Sequence, residues 1–312
     1  MPFLPRNRRA SSPRWSAVPS QRAARSPLGE LFRSARERLR EAGVPDPALE
    51  AEALICHALG IDPVQLWTND GPVPASRRRR LEAQLLRRLR REPLPYIRGW
   101  AEFFGRRFDV DQRVLIPRPE TEHLVEIALE WERATFSKVQ ESGHPFRVAD
   151  IGTGSGILAI TLALELPRVQ ARAVDISREA LYVARKNARR HSVTQRVKFH
   201  HGNLTGPLRG RFEVVLANLP YIKTARLSRL EPELSNEPRL ALDGGGDGLE
   251  QVRPLIQSLP GYLAVPGLAL LEIDPPIARR ALAIAIAAFG AGAARVESDL
   301  SGLARVLVIE SQ

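Results

Sequence analysis

A single cysteine stands among 312 residues, so no internal disulfide can hold this chain together, and a reducing compartment suits it. Cys56 follows the apolar Ala53-Leu54-Ile55, the setting of a buried structural thiol rather than a nucleophile. No apolar run approaches the roughly 18–20 residues that cross a bilayer, and no membrane partner is expected. The six histidines (His57, His123, His144, His191, His200, His201) show no ligand spacing with cysteine or carboxylates, so no metal is expected. No serine sits in a nucleophile elbow. No Gly-Lys-Ser/Thr closes a phosphate loop, and no internal repeat is visible.

Lysine is absent from residues 1–100, where 19 Arg oppose 10 acidic residues, giving +9. The remaining residues carry 27 basic against 25 acidic side chains, only +2 of the total +11. Positive charge on the N-terminal third can steer the chain toward RNA, a ribosome or an acidic protein. An arginine-biased composition with a solvated face gives the same count, so charge alone does not name a partner. Residues 1–27 combine Arg, Ser and Pro without apolar periodicity and are expected to be a disordered tail. Their acid-free composition also resembles a mitochondrial presequence, but arginine dominates throughout, and the expected location is the bacterial cytoplasm. With 44% apolar and 26% charged residues, the remainder reads as globular, with room for one large α/β domain and a smaller one.

Residues 28–92 have helical periodicity. Leu31, Ala35, Leu39 and Ala42 form one stripe before Gly43, and Ala48 to Leu59 a second helix closed by Gly60. Leu81, Leu85 and Leu89 line a third, with Arg77 to Arg80, Arg87, Arg88, Arg90 and Arg91 on its other face. Residues 93–118 read as a linker holding a β-hairpin, with Phe103-Phe104, a turn at Gly105, Phe108 to Val110 and Val114 to Ile116 extended. Pro119 can start a helix, and residues 135–145 read as a loop. Regular strand–helix alternation then runs to the C-terminus, with Gly248 to Leu259 as one helix. Arg295 to Glu297 and Val306 to Ile309 close it as an antiparallel pair. The expected fold is a three-layer Rossmann-like α/β sandwich over residues 119–312, preceded by a helical bundle.

Three strand ends carry chemistry. The first strand runs into Asp150-Ile151-Gly152-Thr153-Gly154-Ser155-Gly156, which opens a helix. Glycines there let backbone approach a ligand, and helix-start N–H groups favour electronegative atoms. The pattern is G-x-G-x-G after an acid rather than the dinucleotide G-x-G-x-x-G. Asp150 can meet a cationic amino-acid moiety, which suits S-adenosylmethionine better than a pyrophosphate; a purely structural turn is the other reading. Asp175, ending the second strand, can accept both ribose hydroxyls, and Ser177 stands ready to cap the next helix in its place. The fourth strand ends in Asn218-Leu219-Pro220-Tyr221. A planar amide or exocyclic amine is a weak nucleophile because its lone pair is delocalised, so a useful site accepts its N–H hydrogens and excludes water. The Asn218 side-chain oxygen and the Leu219 carbonyl can be the two acceptors, Pro220 stiffens the turn, and Tyr221 offers a flat face. An ordinary Asn-Pro turn is the bland alternative.

Taken together, these residues resemble the HemK/PrmC family of release-factor glutamine N5-methyltransferases over about residues 28–310. The likeness extends to Pro93-Leu94-Pro95-Tyr96-Ile97-Arg98-Gly99, Glu102-Phe103-Phe104-Gly105, Val114 to Glu122 with its Arg118-Pro119-Glu120-Thr121-Glu122, Glu237 to Leu242, and Arg305-Val306. It implies a class I fold and methyl transfer from S-adenosylmethionine to the glutamine of the Gly-Gly-Gln tip of peptide chain release factors. By that likeness Asp150, Gly152, Thr153, Gly154, Ser155, Gly156, Asp175, Asn203 and Leu204 line the cofactor pocket together with Asn218. Asn218 to Tyr221 hold the target amide, and Arg118, Glu120 and Thr121 shape the entrance. The N-terminal bundle would recognise the protein substrate, and the chain is expected to act as a monomer. Two positions depart from the family pattern. Leu219 stands where Pro is usual, which keeps a carbonyl but relaxes φ. Asn203 stands where an acid is usual, which keeps an acceptor for the adenine amine without its charge.

Asn-Leu-Pro-Tyr also resembles the motif of ribosomal RNA adenine N6-methyltransferases, but there the glycine motif comes early and the helical domain follows. Here about 150 residues precede it. Glutamine methyltransferases of a ribosomal protein share all the chemistry above. A non-enzymatic cofactor-binding scaffold has no use for a planar-amide grip.

Overall fold

The computed structural model describes residues 26–136, 145–299 and 301–311. The expectations for residues 1–25 and for positions 137–144 lie outside these. The chain divides into two compact units, one up to Leu94 and one from Pro95 onward.

The first unit contains α1 (Pro27–Glu41), α2 (Pro47–Leu59), α3 (Pro63–Thr68) and α4 (Ala75–Leu89). Ser26 caps α1 by accepting from the Gly29 N–H, and Pro27 follows at the helix start, where a missing N–H costs nothing. Gly60 ends α2 at φ +64°, a left-handed stop that glycine takes without strain. Leu39, Ala51, Leu54, Ile55, Leu66, Leu81 and Leu85 are all buried. Burying each large apolar side chain contributes about 1.5–3 kcal/mol. The short α3 is absent from the periodicity reading. Its start is a reciprocal cap, in which Asp62 accepts from the Gln65 N–H and Gln65 Oε1 accepts from the Asp62 N–H.

The arginine face of α4 needs one correction. Arg88 is 3% exposed and its guanidinium grips Glu50 on α2, with Nε 3.0 Å from Oε2. Arg91 turns back to donate to the Gly43 carbonyl at 2.8 Å. These two arginines staple the bundle and leave Arg77 to Arg80, Arg87 and Arg90 as the exposed cations of this arginine face. Glu50→Ala takes the carboxylate from a buried guanidinium, and the expected loss is about 3 kcal/mol, read as a lower denaturant midpoint of the full chain. Cys56 is partly buried, and desolvation pushes its thiol up to about 12, so it is not a nucleophile.

The second unit continues from α5 (Leu94–Arg98) into a hairpin of β1 (Trp100–Phe103) and β2 (Arg106–Asp109). Phe104 and Gly105, at φ +52° and +68°, make its two-residue turn. Val114 to Ile116, expected as strand, pair with no strand among the described residues; they run irregularly and bury Val114 and Ile116 in a cluster with Tyr96, Val110 and Val183. A 3₁₀ turn (Pro119–Thr121) then leads into α6 (Glu122–Phe136). The alternation that follows is β3 (Phe146–Ile151), α7 (Ile157–Glu165), β4 (Val169–Asp175), α8 (Arg178–Arg190), β5 (Val197–His201), β6 (Phe212–Ala217), α9 (Arg239–Leu242), α10 (Val252–Ser258), β7 (Leu263–Glu272), α11 (Pro275–Phe289), β8 (Ala294–Ser298) and β9 (Ala304–Ser311). The helix expected from Gly248 begins only at Val252, because Gly248 is held at φ +79° by a turn.

The sheet order is β5-β4-β3-β6-β7-β9-β8, parallel except where β9 runs antiparallel to β7 and β8. The chain steps outward from β3 through β4 to β5 and then returns to place β6 on β3's other side. That reversal opens a crevice at the carboxyl ends of β3 and β6. Central strands are buried on both faces, as in Val148-Ala149 and Val214 to Ala217, which explains their unalternating apolar runs. α7 is apolar on nearly every side because Ile157 to Ala163 are all buried.

Candidate active site

The crevice is a cleft whose wall includes Ile151, Gly152, Thr153, Gly154 and Ser155 after β3, Asp175 and Ile176 after β4, Asn203 and Leu204 after β5, and Asn218, Leu219 and Pro220 after β6. Arg118, Thr121 and Leu240 complete its outer part. All three chemistry-bearing strand ends expected from the sequence therefore meet in one cavity.

The glycine loop is positioned from both sides. Gly152 and Gly154 stand at φ +71° and +53°, and a Cβ on Gly152 would come within 2.8 Å of Leu219 Cδ2. The Leu219 side chain thus lies directly over bare backbone, a closeness only glycine permits. Asp175 accepts from the Gly154 N–H through Oδ2 and from the Ser177 N–H through Oδ1, both at 2.8 Å. Ser177 caps α8 by accepting from the Ala180 N–H. A carboxylate oxygen can accept more than one hydrogen bond, and Asp175 stands in the cleft wall. Burial raises its pKa, against the pull of those backbone N–H groups.

Four expected site residues take other places. Asp150 is 1% exposed and lies behind the wall: Oδ2 accepts from Thr153 Oγ1 at 2.6 Å and the Ala159 N–H at 3.1 Å, bracing the loop from within. Among the described residues no hydrogen-bond donor meets its Oδ1, and desolvation pushes the carboxyl up to about 6. Gly156 faces away from the cleft, where a Cβ would stand 2.9 Å from Ile160 Cδ1 and 3.2 Å from Ala184 Cβ; its role is to let α7 approach α8. Glu120 is exposed and outside the wall. Tyr221 does not present a flat face to the cleft: its ring packs into the apolar layer beneath the sheet and its hydroxyl donates to Glu272 Oε1 at 3.1 Å.

Asn218 stands in the cleft wall at the end of β6. Its Nδ2 donates to Glu272 Oε2 at 2.9 Å and to Thr121 Oγ1 at 3.1 Å. With Nδ2 turned to these two acceptors, Oδ1 is the side chain's other polar end, and among the described residues no donor meets it. Behind the turn, a Cβ on Gly244 would strike Tyr221 Cα at 2.7 Å and the Pro220 carbonyl oxygen at 2.8 Å, so the 218–221 backbone is pressed against backbone. Glu237, 6% exposed, accepts from the Ile116 N–H at 3.0 Å and pairs with Arg118, tying the cleft's outer strap to the segment that carries Leu240. Glu272 and Glu237 are the functional carboxylates that sequence reasoning passed over as site residues. An acid inside the apolar run Leu268 to Ile273 was the available sign of the first.

The described residues fit S-adenosylmethionine. Positive-φ glycines leave room against the strand end, Asp175 offers two acceptors, and Ile176 keeps an apolar side chain 51% exposed in the wall, where a flat base can lie. Among them no group of three His, Cys, Asp or Glu is arranged to hold a metal ion. A doubly wound sheet with this loop, this acid and this asparagine turn defines a class I S-adenosylmethionine-dependent methyltransferase.

Comparisons with known proteins narrow the class. Residues 30–99 match the family model described as the PrmC N-terminal domain, and residues 134–247 match the methyltransferase small domain. The release factor glutamine methyltransferase of Deinococcus radiodurans is 38% identical over 280 residues, covering 89% of this chain and 96% of that protein. The one from Neisseria gonorrhoeae is 41% identical over 83% of this chain and 92% of its own length. The one from Geobacter sulfurreducens is 42% identical over 76% and 81%. Among solved structures, the hMettl16 catalytic domain in complex with the MAT2A 3'UTR hairpin 1 superposes with a TM-score of 0.51 at 15% identity, over 74% of this chain and 78% of that one, a likeness of fold alone. The chain belongs to the release factor glutamine methyltransferase family. Its methyl donor is S-adenosyl-L-methionine. No helix among the described residues is long and apolar enough to cross a membrane.

Proposed function

We propose that this protein methylates the side-chain amide nitrogen, N5, of the glutamine in the Gly-Gly-Gln motif of peptide chain release factors. The observation that carries the reading is the fixed orientation of Asn218: its Nδ2 is held toward Glu272 and Thr121, which leaves Oδ1 as an acceptor on the cleft wall. A planar NH₂ has two hydrogens and wants two acceptors; the Leu219 carbonyl is the second. When bound, S-adenosylmethionine supplies an electrophilic methyl group on a sulfonium sulfur. Asn218 and Leu219 orient the amide nitrogen by its N–H bonds, which serves a delocalised lone pair better than a base would. Pro220 and the Gly244 backing keep the turn from yielding, and Leu219 and Leu240 keep water from the reacting centre. Asp175, Asn203 and Leu204 hold the nucleoside, and the backbone of residues 152–155 meets the amino-acid end.

The exposed arginines of the first unit suit recognition of a factor docked near ribosomal RNA, and we place the work, by a monomer, in the bacterial cytoplasm. Two related substrates, a ribosomal-protein glutamine and an rRNA adenine, also present a planar nitrogen. Incubation with labelled cofactor and, separately, release factor, ribosomal protein and ribosomal RNA decides among them. Label is expected on the release factor, at its Gly-Gly-Gln glutamine. Label confined to RNA or to another protein would reject the assignment.

A further inference from the structure

Glu272 does not line the cleft, yet three donors from two separate segments, Thr121 on one and Asn218 and Tyr221 on the other, converge on its carboxylate. It is 3% exposed, accepts from Thr121 Oγ1 at 2.6 Å and Asn218 Nδ2 at 2.9 Å through Oε2, and from the Tyr221 hydroxyl at 3.1 Å through Oε1. The sheet puts it there. β6 and β7 pair in parallel with Ala217 opposite Leu271, so the next residues out, Asn218 and Glu272, emerge side by side at the carboxyl edge. Burying a carboxylate costs several kcal/mol unless hydrogen bonds offset it. A carboxylate there for stability alone could be replaced by an apolar residue, as at its neighbours Leu270 and Leu271.

We infer that Glu272 is the positioning residue of the active site, an all-acceptor anchor that dictates which end of the Asn218 amide faces the substrate. An asparagine amide is nearly symmetric in shape, and either end fits the same space. Turned over, Nδ2 would meet the substrate's own N–H hydrogens, donor against donor. An ionised carboxylate donates nothing, so beside it only the Nδ2-inward orientation is satisfied. Thr121 completes the arrangement: its hydroxyl spends its single hydrogen on Glu272 and so must receive Asn218 Nδ2 through its lone pair. Tyr221 acts on the other oxygen and pins the far end of the same turn. Desolvation raises the Glu272 pKa, while the Thr121 and Tyr221 hydroxyls favour its charged form.

This inference rests on the role given to Asn218 above, and the test separates the two. Full-length protein is assayed for methyl transfer and, independently, for cofactor binding and thermal midpoint, as Glu272→Leu, Glu272→Gln, Asn218→Ala and the Asn218→Ala/Glu272→Leu double variant. Glu272→Leu is expected to lower kcat roughly 10²-fold, and Glu272→Gln roughly tenfold because one oxygen survives, with cofactor Kd within about threefold of wild type. In the Asn218→Ala background, Glu272→Leu is expected to cost less than about threefold more, because its effect passes through Asn218. A folded Glu272→Leu enzyme with wild-type kcat overturns the inference, as does a full additional loss in the double variant. Should Glu272→Leu fail to fold, the nearly isosteric Glu272→Gln decides by the same criteria. Wild-type turnover by Asn218→Ala overturns the substrate reading instead.

Discussion

Replacing Asn218 with alanine is expected to lower methyl transfer roughly 10²-fold or more while cofactor affinity moves by less than about threefold. The asymmetry follows from what the side chain touches. Nδ2 is spent on Thr121 and Glu272, so truncation removes an acceptor for the target amide and takes nothing from the acceptors at Asp175. The fold should tolerate the change. Glu272 keeps its bonds from Thr121 Oγ1 and the Tyr221 hydroxyl, and so is not left as a bare buried charge. Loss of orientation acts on the transition state more than on ground-state binding, so kcat falls and the KM for the release factor changes little. Single-turnover rates at saturating cofactor, set against calorimetric cofactor binding, measure the split. Undiminished turnover would remove Asn218 from the reaction altogether.

Much of this was readable from residue order. The parallel strands are visible as unbroken apolar runs, and the three strand ends that line the cleft as polar residues terminating them. What escaped the reading did so for physical reasons. Pro63–Thr68 is shorter than two helical turns, too brief for a period, and only its Asp62/Gln65 cap betrayed it. Val114 to Ile116 carry a strand's composition but find no partner strand; their apolar side chains are spent on packing against Tyr96 and Val183. Arg88 looked like one more surface cation because its partner, Glu50, lies 38 residues away. Glu272 gathers donors 151, 54 and 51 residues distant, a convergence that no local pattern encodes. Asp150, Gly156 and Tyr221 stand beside the cleft rather than in its wall. A motif says which backbone turns at a site; which side chains face the ligand depends on what stands behind them.

Asp175→Ala should fail in the opposite way, by a cofactor Kd raised roughly 10²-fold with turnover at saturation comparatively spared. A hydrogen bond to a charged group contributes about 1.5–3 kcal/mol. Two ribose hydroxyls losing a carboxylate therefore lose about 3 kcal/mol or more, and every 1.4 kcal/mol is tenfold in affinity. The variant also releases the Gly154 and Ser177 N–H groups that Asp175 now holds, but both border the open cleft, where water can replace the lost oxygens, and Ser177 still caps α8. Asp175→Asn keeps one oxygen without the charge and should fall between, at about tenfold. Protonation acts like that substitution. Because burial holds the Asp175 pKa above the ordinary carboxylate value, cofactor binding by the wild type should weaken on acidification sooner than a solvent-exposed aspartate would allow. Raising cofactor concentration should then restore Asp175→Ala toward wild-type rates and do nothing for Asn218→Ala. That contrast follows if β4 builds the half of the cleft that holds the donor and β6 the half that holds the amide. An unchanged Kd in Asp175→Ala would reduce the residue to a brace for the glycine loop.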